Sequence, residues 1–342
     1  MLELETLQFL WYLVVGLAMI MYTLLDGFDL GVGILLPFVK KDKERRLFLN
    51  AIGPVWDGNE VWLVIIVGGL FAGFPVAYAS VLSGFYNLVM LLLAGLMFRA
   101  AAIEFRSKKD SLRWRFFWDY VFCISSLLVA FLYGVGLGNF VQGVPLNHDF
   151  VFTGSFSSIF TSYSVLLGFF SILLFTMHGA CYLIVKTEKE VQSHLRSYLL
   201  PILLLFLAGY LLITFYTFIE MPFMMEPFKE YPTLFVFPLI TFFSIFSIFY
   251  QGYKKREGWA FLSSCLCILS LLTLFGIGTF PNLMRSTLSE YNNLTIYNSS
   301  SSAYTLKVLL TIVLIGVPLV LGYGVWVYRI FGGKVKLDSS SY

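Results

Sequence analysis

The chain has 342 residues, of which 58% are hydrophobic and only 13% charged, with a formal net charge of +3. Its mean hydropathy of +0.82 lies far from that of soluble globular domains, which carry about 25% charged residues. Composition excludes a soluble domain and points to a polytopic membrane protein. Nucleic-acid binding has no support, because the cations sit in short loops between apolar runs.

Taken in chain order, Met1–Thr6 carries two acids and no cation, so no cleavable secretion signal is expected. Apolar runs of about 20 residues then predict nine spans, at 8–38, 50–73, 76–105, 116–140, 156–185, 197–219, 231–251, 258–279 and 303–331. The first hairpin is the unusual one. Its short loop, 40–46, carries five cations and is expected to stay in water. Asp29 lies 11 residues before Lys40, and Asp57 lies 11 after Arg46. At ~1.5 Å rise per residue, both carboxylates are expected roughly 15 Å in from one face. Asp26 and Asp29 share a helix face, as do Asp57 and Glu60, with Asn59 between the latter two and Trp56 and Trp62 alongside. Gly27, Gly31 and Gly33 would let a neighbouring helix approach closely. On the third span Arg99 sits about 10 Å deep, a natural partner for Asp57 or for an acid of the first span. Glu104 is nearer the surface on the same helix.

Beyond the third span the residues say less about chemistry. Cys123, Cys181, Cys265 and Cys267 fall in apolar segments, and the last two diverge on a helix, so neither a disulfide nor a zinc site is expected. His178 is the one histidine inside a span. A bis-histidine haem site needs a pair, and a lone buried histidine is more often a hydrogen-bonded packing residue. No P-loop, dinucleotide fingerprint or zincin motif is present. An acidic outer turn holds Glu220, Glu226 and Glu230, and the polar stretch 281–302 reads as a surface excursion on the outer side. Trp114, Trp118, Trp259 and Trp326 fit an interfacial belt.

Loop charges orient the chain. Of 23 lysines and arginines, 19 fall in alternate inter-span segments and at the C-terminal end. The positive-inside rule then sets the N-terminus outside and the C-terminus in the cytoplasm. Intramembrane acids are costly and usually line a water-filled path or pair with one another. Four acids against one deep arginine favour a polar path for protons or ions that opens to the inner face. Simple pairing that locks three helices together is the alternative.

Five stretches carry a resemblance: TLLDGFDLGVG at 23–33, ERR at 44–46, PVWDGNEVWL at 54–63, SGFY at 83–86 and FRA at 98–100. In these the chain resembles subunit II of the cytochrome bd-type quinol oxidases, densely over its first third and mainly in hydropathy and length thereafter. The resemblance implies a complex that oxidises quinol at the outer side and reduces oxygen to water. Haem b, haem d and the quinol-oxidising loop would belong to subunit I. The implied fold is all-α and polytopic, with nine transmembrane helices in one integral membrane domain, 1–342. That domain would comprise a four-helix bundle (1–140), a second four-helix bundle (156–279) and a peripheral helix (303–331). The implied partner is the haem-bearing subunit I, in a pseudo-symmetric heterodimer within the lipid of the bacterial cytoplasmic membrane. A small single-helix subunit and a structural quinone are left open, and no catalytic, metal-binding or cofactor-binding residue is expected in this chain. Carried across by motif, Asp57 would be a proton-path carboxylate, with Asp29 and Asp26 supporting and Arg99 as counter-ion. Trp56, Trp62 and Asn59 would have structural roles. Glu60 joins the path as a candidate, but the family also carries Gln there, which leaves its part open. Two other classes remain: an ion-coupled secondary transporter, and a purely structural scaffold. Co-purification with a haem-bearing subunit separates the oxidase reading from solute uptake by this chain alone.

Overall fold

A computed structural model of the protein describes residues 3–337; the reading of Met1–Thr6 rests partly on residues outside that range. Twelve α-helices follow one another: α1 (Leu4–Leu35), α2 (Asp42–Ile52), α3 (Trp56–Gly73), α4 (Pro75–Gly84), α5 (Tyr86–Arg106), α6 (Leu112–Gln142), α7 (Ser162–Lys186), α8 (Lys189–Glu220), α9 (Glu226–Glu230), α10 (Val236–Tyr253), α11 (Glu257–Thr279) and α12 (Ala303–Ile330). Strands β1 (Asn282–Met284) and β2 (Leu294–Thr295) pair antiparallel between α11 and α12. Among the described residues eight helical stretches are long and apolar enough to cross a membrane, or nine if α2 and α3, bent by 48°, form one span. The chain is an all-α, multi-pass membrane protein.

Helix α1 is the centre. Residues 26–36 are buried without interruption, because α3, α6, α7, α11 and α12 all pack against this helix. Glycine makes the closest of these approaches possible. A Cβ at Gly31 would lie 1.9 Å from the Phe175 carbonyl oxygen, and one at Gly179 would lie 2.6 Å from the Gly31 carbonyl carbon. Helices α1 and α7 thus cross backbone to backbone, the small-residue packing that apolar surroundings favour.

The inner side of the first hairpin departs from expectation. The segment 40–46 keeps Lys40, Lys41 and Lys43 exposed but is not a simple loop: α2 starts at Asp42 and continues to Ile52, and Gly53-Pro54 then breaks the straight span expected at 50–73. Proline lacks the N–H that would extend α2, so the chain turns there before α3 begins. Arg106, expected among the solvated inner cations, is buried instead. Its Nε donates to Asp119 Oδ1 at 2.5 Å, and its Nη2 donates to Asp42 Oδ1 at 2.7 Å. Arg45 Nη1 donates to Asp119 Oδ2 and Arg115 Nη1 to Asp42 Oδ2, each at 2.9 Å. This network fastens α2 to α5 and α6. A hydropathy window registers only the charges, not their mutual neutralisation. The third expected span, 76–105, is likewise divided at Phe85 between α4 and α5.

On the outer side, 281–302 is more than a surface excursion. Leu294 and Ile296 are fully buried in a core shared with Leu7, Trp11 and Phe74. Asn292 Nδ2 donates to the Leu146 carbonyl at 2.9 Å, and Ser301 Oγ donates to that of Ala72 at 2.6 Å. The Ser/Asn-rich composition that suggested exposure supplies these backbone contacts.

The α1–α7 crossing makes a first test. Gly31→Val must push two backbones apart, and overpacking costs about 1–3 kcal/mol or more where backbone cannot yield. Yield of monodisperse protein in detergent is expected to collapse for Gly31→Val and to persist for Gly16→Val, a position with open space around it. Equal yields would remove the crossing as a packing constraint.

Candidate functional site

Arg99 on α5 has no solvent exposure. Its Nη1 lies 2.6 Å from Asp26 Oδ1 on α1, an ion-pair contact whose angle falls short of a hydrogen bond. Its Nη2 donates to Glu60 Oε2 on α3 at 2.8 Å. One guanidinium therefore draws three helices together. Of the partners the sequence offered Arg99, Asp57 or an acid of the first span, the contact is with Asp26 of α1, joined by Glu60. No hydrogen bond or ion pair reaches the Asp57 carboxylate from the described residues.

Asp29 lies one turn beyond Asp26 on the same buried face. Its Oδ2 accepts from Asn59 Nδ2 at 2.8 Å, whereas its Oδ1 meets no hydrogen-bonding group. The Asn59 N–H group also reaches the Leu25 carbonyl at 3.2 Å. Asn59 Oδ1 accepts from the hydroxyl of Tyr328, on α12, at 2.7 Å. The start of α3 thus meets α1 at Asp29, but through Asn59 rather than Asp57.

Helix geometry explains the exchange. At about 100° per residue, Asn59 points roughly 200° away from Asp57, with Glu60 between them at the edge. Asp57 is exposed on the outer surface of the bundle, Asn59 and Trp62 are buried, and Trp56 is half-buried. Glu60 spans the boundary with 24% of its side chain exposed. The 48° bend between α2 and α3 also makes Asp57 shallower than a straight helix would, roughly 10 Å rather than 15 Å if α3 follows the membrane normal.

His178 is a packing residue in its contacts. Its Nε2 faces the Leu24 carbonyl at 2.9 Å, its Nδ1 faces Ser264 Oγ at 2.8 Å, and its ring stacks on Phe261. The Leu24 carbonyl can only accept, so Nε2 carries the proton. Both ring nitrogens thus lie within hydrogen-bond distance of protein atoms. Among the described residues no group of three His, Cys, Asp or Glu side chains is placed to hold a metal ion. Sequence reading missed Tyr328, a tyrosine in an apolar helix that carries no local mark of its contact with Asn59. It also missed the Asp42–Arg106–Asp119 network, whose only sign was Asp119 within an otherwise apolar span.

A buried Arg–Asp–Glu triad beside an unpaired Asp, at the crossing of the first three long helices, coincides with the motifs read from the sequence. Residues 7–331 match the family described as cytochrome bd terminal oxidase subunit II. The chain belongs to that family. It is 32% identical over 370 residues to the cytochrome bd-I ubiquinol oxidase subunit 2 of Escherichia coli strain K12, with 99% of this chain and 98% of that protein covered. It is 32% identical over 337 residues to the cytochrome bd ubiquinol oxidase subunit 2 of Bacillus subtilis, with 97% of each covered. In the structure of bd oxidase from Geobacillus thermodenitrificans, one chain superposes with a TM-score of 0.76 at 17% identity. That superposition covers 95% of this chain and 98% of that one, so the fold is shared.

For this subunit II family member the triad predicts an order of damage. Arg99→Leu leaves Asp26 and Glu60 without their counter-charge, and stranding a buried charge costs about 3–5 kcal/mol. Asp26→Asn keeps the shape and leaves Glu60 on Arg99. Assembled protein, measured by size-exclusion of detergent extracts, is expected to fall far more for Arg99→Leu. Equal yields would end the counter-ion role.

Proposed function

We propose that this chain is the non-haem subunit II of a terminal oxidase that oxidises quinol and reduces oxygen to water. In this reading it stabilises a haem-bearing subunit I and carries part of a cytoplasmic proton path. The observation that carries the proton-path reading is the charge count of the buried site. Three carboxyls, Asp26, Asp29 and Glu60, face a single guanidinium. Asp26 and Glu60 share Arg99, so Asp29 is neutral only when it holds a proton. Its Oδ1, free of hydrogen bonds, is the atom where that proton would sit. An interior acid of this kind is the usual mark of a proton relay.

Asp57 is assigned the uptake end of the path. An exposed carboxylate at membrane depth cannot face lipid without a cost of about 2.5–3.5 kcal/mol. Cover by subunit I relieves that cost and places Asp57 at the junction between the subunits. Glu60, partly exposed beside it, would link this surface to the interior acids. Protons drawn from the cytoplasm in this way, while quinol releases its own outside, make turnover charge-separating without a pump.

The finer architecture follows the same reading. Helices α1, α3, α5 and α6 would form one four-helix bundle and α7, α8, α10 and α11 the second, with α12 peripheral. The packing of α5 on α6 and α1 on α3, and of α10 on α11 and α7 on α8, accords with this division, with α7 joining the two bundles through α1 and α6. The charge distribution supports nine spans with the N-terminus outside and the C-terminus in the cytoplasm of a bacterial cell. Haem b and haem d are assigned to subunit I, since both ring nitrogens of His178 face protein atoms. A cavity of about 250 Å³ among Leu174, Tyr210, Ile213, Phe228 and Phe275 is apolar enough to take the isoprenoid tail of a structural quinone.

The test uses Asp57→Asn in the complete complex. Asn keeps size and polarity but cannot shuttle a proton, so assembly and haem content are expected to survive. Quinol-oxidase turnover and external acidification should fall together. Normal assembly with wild-type turnover across pH would make Asp57 structural. The subunit assignment has its own measurement: this chain expressed alone is expected to show no haem absorbance. Stoichiometric haem that disappears in His178→Ala would overturn it.

A further inference from the structure

The hydrogen bonds around Asn59 have a fixed direction. The Leu25 carbonyl can only accept, so the Asn59 atom facing it at 3.2 Å must be the amide nitrogen. That same nitrogen donates to Asp29 Oδ2 at 2.8 Å. Asn59 Oδ1 therefore faces Tyr328, whose hydroxyl is the donor at 2.7 Å. Donation runs from Tyr328 to Asn59 to Asp29 and cannot reverse unless the carboxamide turns over. A proton cannot pass along it, because the amide nitrogen has no lone pair to receive one. Tyr328 is thus not a relay.

What the hydroxyl can do is tether Asn59 Oδ1 and so hold the carboxamide, whose orientation the Leu25 carbonyl sets, with its N–H on Asp29 Oδ2. The turned orientation would set Asn59 Oδ1 against the Leu25 carbonyl, acceptor against acceptor, and against the Asp29 carboxylate whenever Asp29 is ionised. With the N–H locked on Oδ2, the only Asp29 oxygen left to take up and release a proton is Oδ1, which meets no hydrogen-bonding group.

The placement of Tyr328 is itself secured. Helix α12 has one fully buried residue along its length, Leu306 near the outer end, and at its inner end only the partly buried Val327 and Tyr328 pack against the core. Two lysines also hold that end. Lys186 Nζ donates to the Phe331 carbonyl at 2.6 Å, and Lys334 Nζ donates to that of Ile184 at 3.2 Å. The Val335 N–H donates to the Lys186 carbonyl at 2.8 Å. Each lysine binds the C-terminal carbonyls of the other helix, where cations are favoured. This clamp between α7 and α12 lies one turn from Tyr328.

We propose that Tyr328 is a positioning residue for Asp29, holding Asn59 in place so that the Asp29 proton resides on Oδ1. The inference rests on the proton-path reading above. It is tested in the purified complex with subunit I, by infrared difference spectroscopy and turnover together. The carboxyl or carboxylate band that Asp29→Asn removes identifies Asp29. Tyr328→Phe is expected to move that band with haem content intact, and to slow quinol oxidation by roughly three- to tenfold, the scale of one lost hydrogen bond. A band that stays in place in an assembled Tyr328→Phe complex overturns the proposal, whatever the rate. A band that moves while Tyr328→Phe and Asp29→Asn both turn over at the wild-type rate supports the positioning and overturns the proton path. Should Tyr328→Phe fail to assemble, difluorotyrosine at position 328 keeps the ring and strengthens the donor. The Asp29 band is then expected to shift, and an unmoved band again overturns the proposal.

Discussion

A guanidinium with no access to water has to be neutralised where it stands. Arg99 is held in this way by Asp26 from α1 and Glu60 from α3. Leaving any of the three unpaired in a low-dielectric interior would cost several kcal/mol. The constraint fixes more than three side chains. It sets the depth of α5 against α1 and the rotation of α3, and so decides which residues near the start of α3 face inward. Asn59 and Trp62 follow Glu60 toward the interior, and Asp57 is left outside.

Helix α1 can serve this site because its composition divides it around the circumference. Asp26 and Asp29 occupy one face, while Gly27 and Gly31 lie on the side of α7, where Gly31 meets Gly179. The glycines draw a second layer of helices onto α1 and exclude lipid from it. Exclusion of lipid is what puts the carboxyls in a protein interior rather than at a hydrocarbon surface. Close packing on one face and ionisable chemistry on the other are therefore linked, since a looser α1–α7 crossing would admit lipid or water to the acids.

Much of this was legible in the residues. Long apolar runs made the spans visible, and acids within them marked the site. The depth of Arg99 marked it as a partner for an acid of α1, and Asp26 is that acid. Three things were not legible. The rotation of α3 about its own axis depends on its tertiary partners, and without it Asp57 and Asn59 could not be told apart. The burial of Arg106 depends on Asp119, across the turn between α5 and α6, and on Asp42, 64 residues away and like a solvated charge in a hydropathy profile. The contact between Tyr328 and Asn59 spans 269 residues, and no local pattern carries such a distance.

The position of Asp57 gives the site a direction. The interior acids are enclosed on the sides of α1, α5 and α12, and Glu60 is the one member of the triad with part of its side chain at the surface. That surface is the exposed face of α3, where Asp57 and Gly58 are followed by Val61, Val64 and Gly68. Apart from Asp57 these residues are small or β-branched, and nothing approaches Gly58 or Gly68 within 4 Å. A helix face of that kind accepts another helix closely, and a carboxylate at its head requires a polar or charged group opposite. Lipid supplies neither. On the oxidase reading the surface is completed by subunit I. On the proposed proton-path reading the acids of this chain would form half of a path whose other half lies across the interface, which would make proton transfer a property of the assembled pair.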